Sequence, residues 1–171
     1  MAPTQVQPRA TIEEPAIVYR APAWLPGGQL QTLWPVLRAR RVAGPRIVYR
    51  RERWDTPDGD FVDVDWLLPA RAPRAPLLVL FHGLEGNSRS HYAEAFAGWA
   101  RERGLGFAVP HFRGCSGELN RAPRAYHSGD FIEIGWLLAR FRAMQDACGG
   151  GPLLAVGVSL GGNALLRWAG E

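Results

Sequence analysis

Val156-Gly157-Val158-Ser159-Leu160-Gly161-Gly162-Asn163 is the stretch whose reading decides the fold of this chain. Before it lies an apolar run, Pro152 to Val158, which reads as a short buried strand; after it, Leu160 to Ala169 reads as the start of a helix. Between them sits Gly-x-Ser-x-Gly, the pattern of a nucleophile elbow. A strand that turns sharply into a helix puts the turning residue in strained backbone space and lifts its side chain to the top of the sheet. A Cβ at Gly157 or Gly161 would collide where helix and strand pass closest. The helix that begins at Leu160 directs free backbone N–H groups and its positive dipole end at any oxygen reacting there. The spacing alone is a weak signal in a chain with 20 glycines. The strand–turn–helix context gives it weight and makes Ser159 the candidate nucleophile; otherwise Ser159 merely turns a loop.

Upstream, strand and helix patterns alternate. Arg46 to Trp54 reads as a strand, and Thr56-Pro57-Asp58-Gly59-Asp60 as a tight turn. Phe61 to Leu67 alternates strictly, as a half-buried strand does, and completes a hairpin. After the Pro-rich stretch Pro69 to Pro76, Leu77 to Phe81 is apolar throughout, as expected for a strand covered on both faces of a parallel sheet. It ends in the Gly-rich loop His82-Gly83-Leu84-Glu85-Gly86-Asn87-Ser88. A helix follows from about His91 to Arg103, stopped by Gly104, then a strand from Phe107 to Pro110 and an irregular loop from Arg113 to Ser128. Asp130 is placed to cap the next helix, with Glu133 completing a capping box. Phe131, Ile134, Leu138, Phe141 and Met144 form its buried face, and Gly149 to Gly151 end it. The order predicts an α/β chain, a mostly parallel sheet with helices on both faces. In such sheets ligands bind beyond the carboxyl ends of the strands, where the loops after His82, after His111 and at Ser159 converge.

Two segments precede this body. Met1 to Glu14 is polar and reads as a loose tail. Between Tyr19 and Leu37 a Trp/Pro-rich arm carries Trp24, Leu25, Leu30, Leu33 and Trp34, with a short helix expected from Gln29 to Trp34 and a stop at Pro35. The expected organisation is residues 1–45 as tail and arm, packing onto a body formed by residues 46–171; a cap over an acyl pocket is the other role open to the arm.

Composition excludes several classes. With 47% hydrophobic and 21% charged residues the chain is globular. All 20 basic residues behind the formal net charge of +4 are arginine, and apart from Arg38-Ala39-Arg40-Arg41 and Arg50-Arg51-Glu52-Arg53 they are scattered, so no nucleic-acid partner is expected. Cys115 and Cys148 form no C-x-x-C and fit a reducing, cytoplasmic setting. Met1 to Thr11 has no apolar core of a signal peptide, and no run approaches the ~18 residues of a membrane helix. No cluster with metal-ligand spacing is visible, so neither metal nor other cofactor is expected.

A serine hydrolase needs a nucleophile, a base, an orienting acid and an oxyanion hole. Ser159 supplies the first. The hole would take one N–H from the residue after it, Leu160, and another from Leu84 in the first Gly-rich loop. His82 reads as a structural loop residue, and His91, His111 and His127 precede the nucleophile. Asp130 reads as a cap.

Taken together, Leu30-Gln31-Thr32-Leu33, Asp58-Gly59-Asp60-Phe61, His82-Gly83-Leu84-Glu85-Gly86, Phe112-Arg113-Gly114-Cys115-Ser116-Gly117-Glu118, Tyr126-His127-Ser128-Gly129 and Gly157-Val158-Ser159-Leu160-Gly161-Gly162-Asn163 resemble the YheT-like branch of the alpha/beta-hydrolases. That branch is of esterase type and related to animal membrane-lipid hydrolases of the same fold. The resemblance runs from about Trp24 to the end, departing at Gln29, where the family has His. It implies an alpha/beta-hydrolase fold and a metal-free hydrolase of carboxylic, acyl or lipid-like esters. The fold orders its triad Ser, then Asp or Glu, then His. After Ser159 only twelve residues follow, none of them His, and the only acid is Glu171. The expectation is therefore a domain truncated after the elbow, a fragment that lacks the acid and base, is inactive alone and self-associates through its last strand. The alternative is a short non-catalytic protein that binds an acyl group or a partner.

Overall fold

The computed structural model describes residues 19–38, 45–67 and 74–171. The tail expected over Met1 to Glu14 and part of the Pro-rich stretch Pro69 to Pro76 lie outside them. The chain forms two compact units, Met1–Ala39 and Arg40–Glu171.

In the first unit, helix α1 spans Gly28–Arg38 and so runs through Pro35 instead of stopping there. A proline removes only its own N–H, here the donor that would reach the Gln31 carbonyl, and the last turn survives that single loss. The Arg38 guanidinium lies 4.8 Å above the Trp34 ring, and Trp24 packs edge-on against Trp34 at 5.2 Å.

The second unit is built on a five-stranded sheet of order β1-β2-β4-β3-β5. Its strands are β1 Arg50–Asp55, β2 Phe61–Leu67, β3 Leu77–Phe81, β4 Gly106–Pro110 and β5 Leu153–Gly157. β4, β3 and β5 pair in parallel. β1 and β2 pair antiparallel with each other, and β2 joins β4 antiparallel. Helix α2 (His91–Glu102) covers one face, where Ala93, Ala97 and Ala100 meet Leu78, Leu80, Phe107 and Val109. Helices α3 (Phe131–Ala147) and α4 (Leu160–Ala169) lie on the other face, where Ile134, Leu137, Phe141 and Ala164 cluster with Val79, Phe81 and Ala108. Trp54, Trp66 and Phe141 pack there at tilted to edge-on angles with centroids 4.9 to 6.1 Å apart.

Three local readings are corrected. β1 begins at Arg50, not Arg46. β2 is buried through six of its seven residues rather than half-buried. Its polar positions do not face water, because Asp63 and Asp65 lie opposite Arg53 and Arg51 on β1. Each carboxylate accepts a two-pronged bond at 2.7 to 2.9 Å from its arginine. The third correction concerns α3, whose first residue follows Asp130, yet that carboxylate makes no cap bond. It instead accepts two 2.7 Å bonds from Arg124. Glu133 does not reach back either, since it is buried against Arg113 Nε at 2.7 Å. A guanidinium offers a carboxylate more charge than a helix N–H can, so it takes the partner.

Arg113 is itself buried and also donates to Asp60 at 2.9 Å and Asp58 at 3.2 Å. Asp60 further accepts the N–H groups of Phe61 and Arg121 and the Asn120 amide, at 2.9 to 3.0 Å. This cluster ties the hairpin turn, the long 113–128 loop and α3 together. Burial alone would raise the Asp60 carboxyl, but its donors outweigh burial and hold it down at about 2, below the ordinary 3.8. Its contribution is therefore fully present above pH 3.8 and is lost as pH falls toward 2. Asp60→Asn is expected to lower the unfolding free energy by about 3 kcal/mol at pH 7, because it strips a buried arginine of one anion. It should also flatten the acid limb of the stability profile, both read by urea denaturation across pH.

Candidate active site

Ser159 stands at the junction of β5 and α4 with φ +51° and ψ −114°. A non-glycine residue there costs of order 1–3 kcal/mol and persists only where its surroundings impose it. Here the Val158 N–H donates to the Phe81 carbonyl at 3.0 Å, fixing β5 against the end of β3. The N–H groups of Gly161 and Asn163 close onto the Val158 and Ser159 carbonyls at 3.0 and 2.9 Å. Any side chain at Gly161 would overlap the Phe81 and His82 carbonyls, so α4 can begin this close only with glycine. The Ser159 hydroxyl makes no cap bond to its own helix and is exposed.

The first Gly-rich loop lies beside it. A Cβ at Gly83 would sit 3.5 Å from the Ser159 Cβ. The Gly86 N–H closes a turn on the Gly83 carbonyl at 3.0 Å, with Leu84 and Glu85 in its central positions and Glu85 at φ +54°. The Gly83 N–H donates to the Tyr92 hydroxyl and the Glu85 N–H to the Tyr126 hydroxyl, each at 3.0 Å. Among the described residues, the Leu84 N–H and the Leu160 N–H have no acceptor. Leu160 is the first residue of α4.

His82 is wholly buried, with both ring nitrogens engaged: Nδ1 meets the Gly83 carbonyl at 2.7 Å and Nε2 accepts the Phe112 N–H at 2.9 Å. Burial pushes its pKa down from 6.5 to about 4, so it is neutral and holds the loop. His111 is buried too, its Nε2 2.9 Å from Asp65 and its Nδ1 3.3 Å from the Cys115 carbonyl. Ser88 also bonds Asp65, at 2.5 Å. Serine, histidine and carboxylate thus meet here, but both side chains bind the carboxylate directly and the serine has no base beside it. Burial raises the Asp65 carboxyl, yet bonds from Arg51, His111 and Ser88 prevail and hold it well below the usual range. His127 is exposed and accepts the Gly129 N–H at 3.1 Å, and His91 is exposed at the start of α2.

Sequence reasoning missed the two tyrosines and the Asp65 cluster. Tyr126 lies in a motif quoted above without a role, and Tyr92 in the helix turn that follows the Gly-rich loop. The acids at alternate positions of β2 were the signal for the cluster.

The parallel β4-β3-β5 layer, helices on both faces and a left-handed serine at the strand-to-helix turn define an alpha/beta hydrolase, and the chain belongs to that family. It is 47% identical over 137 residues to an Escherichia coli (strain K12) protein named "Putative esterase YheT", a match covering 80% of this chain and 38% of that protein. Against human phospholipase ABHD3 it is 29% identical over 159 residues, covering 90% of this chain and 37% of the phospholipase. The chain thus spans less than two fifths of the length of these relatives. No family model matches it. Among solved structures, a lidless α/β serine hydrolase from Xanthomonas campestris shares the fold with TM-score 0.57 and 21% identity, over 74% of this chain and 59% of that one. A Pyrococcus furiosus esterase gives 0.54 and 19%, over 75% and 51%. Among the described residues no helix is long and apolar enough to cross a membrane.

The depressed His82 pKa makes stability depend on pH. The unfolded chain takes up the proton first, so stability is fully present above pH 6.5 and is lost as pH falls toward 4, by up to about 3 kcal/mol. Denaturant midpoints measured from pH 7 to 4 should fall with that slope. His82→Gln should be less stable at pH 7 and show a flatter slope across the window.

Proposed function

We propose that this chain carries the nucleophile and the oxyanion hole of a serine hydrolase acting on carboxylic esters with acyl or lipid-like groups. One observation carries the reading: the strained, uncapped Ser159 lies beside a turn in which only the Leu84 N–H, among those of Gly83 to Gly86, lacks an acceptor. In this reaction the base takes the Ser159 hydroxyl proton as Oγ attacks the ester carbonyl carbon, the carbonyl oxygen becomes an anion, and the base returns that proton to the alcohol as it leaves. The N–H groups of Leu84 and Leu160 donate to that oxygen, each worth roughly 3 kcal/mol in the transition state. Collapse expels the alcohol and leaves an acyl-serine, which water then cleaves. The dipole of α4 favours the same negative charge.

The base and orienting acid are proposed to come from residues outside this chain. Both His82 nitrogens and both His111 nitrogens are engaged elsewhere. The relatives named above are also far longer than the chain. The ester class is drawn from their names. A second reading is favoured by β5, an edge strand among the described residues in which Leu154 is 45% exposed: a short non-catalytic chain that binds an acyl group, or binds a partner by strand addition.

In the gene product containing this chain, Ser159 should react with a fluorophosphonate probe. Ser159→Ala should abolish that labelling and lower kcat on p-nitrophenyl esters by more than about 10⁴-fold. Unchanged turnover in the alanine variant would overturn the assignment. The excised 171 residues should hydrolyse the same esters very slowly, since an oxyanion hole without a base retains only ~10³–10⁴ over water. Absent hydrolysis in the longest product, with light scattering showing a monodisperse monomer whose residues 149–171 are as protected from amide exchange as β3, would favour the second reading.

A further inference from the structure

We propose that Tyr92 and Tyr126 are positioning residues whose hydroxyls hold the Leu84 N–H free as an oxyanion donor. The inference rests on the hydrolase reading above and assigns the side chains that keep its first donor in place. In the turn from Gly83 to Gly86, four consecutive N–H groups have four different fates. Gly83 is bound by the Tyr92 hydroxyl, Glu85 by the Tyr126 hydroxyl, Gly86 by the Gly83 carbonyl, and Leu84 by nothing among the described residues. The tyrosines therefore flank the free donor on either side and occupy the two N–H groups that would compete with it for an incoming oxygen.

Nothing intrinsic to the turn enforces this pattern. Glu85 sits at φ +54°, a region that a residue with a Cβ avoids. The central peptide of such a turn relaxes by rotating, which moves the second central residue into the right-handed region and reorients the N–H groups around Leu84. The Tyr126 hydroxyl opposes that rotation by holding Glu85 twice: it accepts the Glu85 N–H at 3.0 Å and donates to the Glu85 carboxylate at 3.2 Å. Burial raises the Tyr126 hydroxyl to about 12, so it keeps its proton at neutral pH.

Both tyrosines are anchored to rigid parts of the fold. Tyr92 lies in the first turn of α2. Its hydroxyl occupies the space that a Cβ on Gly86 would fill, which explains the glycine there. The Tyr126 ring stacks on Phe112 with centroids 5.3 Å apart and planes 10° apart, and the Phe112 N–H is bound by His82 at 2.9 Å. His82 in turn holds the Gly83 carbonyl at 2.7 Å. The clamp is thus a closed circuit of Phe112, His82, the turn and Tyr126, which transmits the position of the 113–128 loop to the donor.

The test uses Tyr92→Phe, Tyr126→Phe and Ser159→Ala in the gene product containing this chain, with p-nitrophenyl butyrate as substrate and a phenylboronic acid as tetrahedral mimic. Each phenylalanine keeps the ring and removes one hydroxyl. Each is expected to lower kcat by about tenfold, less than loss of the donor itself, with KM within about twofold. Boronate affinity should fall by the same factor as kcat. If both variants keep wild-type kcat and boronate affinity while Ser159→Ala abolishes turnover, the clamp is wrong and the hydrolase reading stands. If Ser159→Ala leaves turnover intact, the hydrolase reading fails and this inference fails with it. Amide exchange in the wild-type protein needs no variant to fold. Gly83 and Glu85 should be protected and Leu84 exchange fast; equal protection at Leu84 would overturn the proposal.

Discussion

The close approach of α4 to the end of β3 is the constraint on which the site depends. Gly161 lies against the Phe81 and His82 carbonyls with no space for a Cβ, and the Val158 N–H binds Phe81. Together these force the chain to turn within a single residue, and Ser159 takes the left-handed conformation that results. The strain at Ser159 is thus imposed by the packing of a parallel layer. Its consequence is chemical: the hydroxyl stands clear of its own helix, and the first helical N–H stays unpaired at the same spot. Gly157 and Gly161 are needed for the reason that a lysine or leucine is excluded: backbone must touch backbone.

A second layer of organisation is electrostatic. Arg113 and its three carboxylates, together with the Phe61, Asn120 and Arg121 donors on Asp60, hold a long irregular loop that has little apolar surface of its own. A loop of that kind would ordinarily be mobile. Here it is fixed at one end by buried charge and at the other by the Phe112–Tyr126 stack. Parallel to it, Arg51, His111 and Ser88 converge on Asp65 beneath the same strand ends. Buried ion clusters of this sort contribute little net stability compared with an apolar core. What they supply is fixed geometry, since a displaced donor would leave a buried charge unpaired.

The elements of this fold were legible from the chain because each obeys a local rule. The apolar run Leu77 to Phe81 gave β3, the helical repeat of Ile134, Leu138 and Phe141 gave α3, and the glycines around Ser159 gave the strand-to-helix turn with its positive φ. These depend on periodicity and on the absence of a Cβ, which sequence states directly. The misreadings came where two local rules competed with a distant partner. Asp130 and Glu133 have capping-box spacing, but Arg124 and Arg113 offer full charges where the helix offers partial ones. Strict alternation in β2 implied a wet face, and the arginines of β1 made it a buried one.

By itself, then, the sequence determined the α/β order and the sharp strand-to-helix turn at Ser159, because backbone geometry at a glycine-flanked turn follows from the residues in that turn. Only the tertiary structure decided which N–H groups stay free. That depends on Tyr92 and Tyr126, nine and forty-one residues beyond the Gly83 and Glu85 amides they bind, reaching the turn from α2 and from the 113–128 loop. Hydrogen-bond satisfaction is a property of three-dimensional neighbours, and a one-dimensional pattern holds no record of which hydroxyl will arrive at which amide.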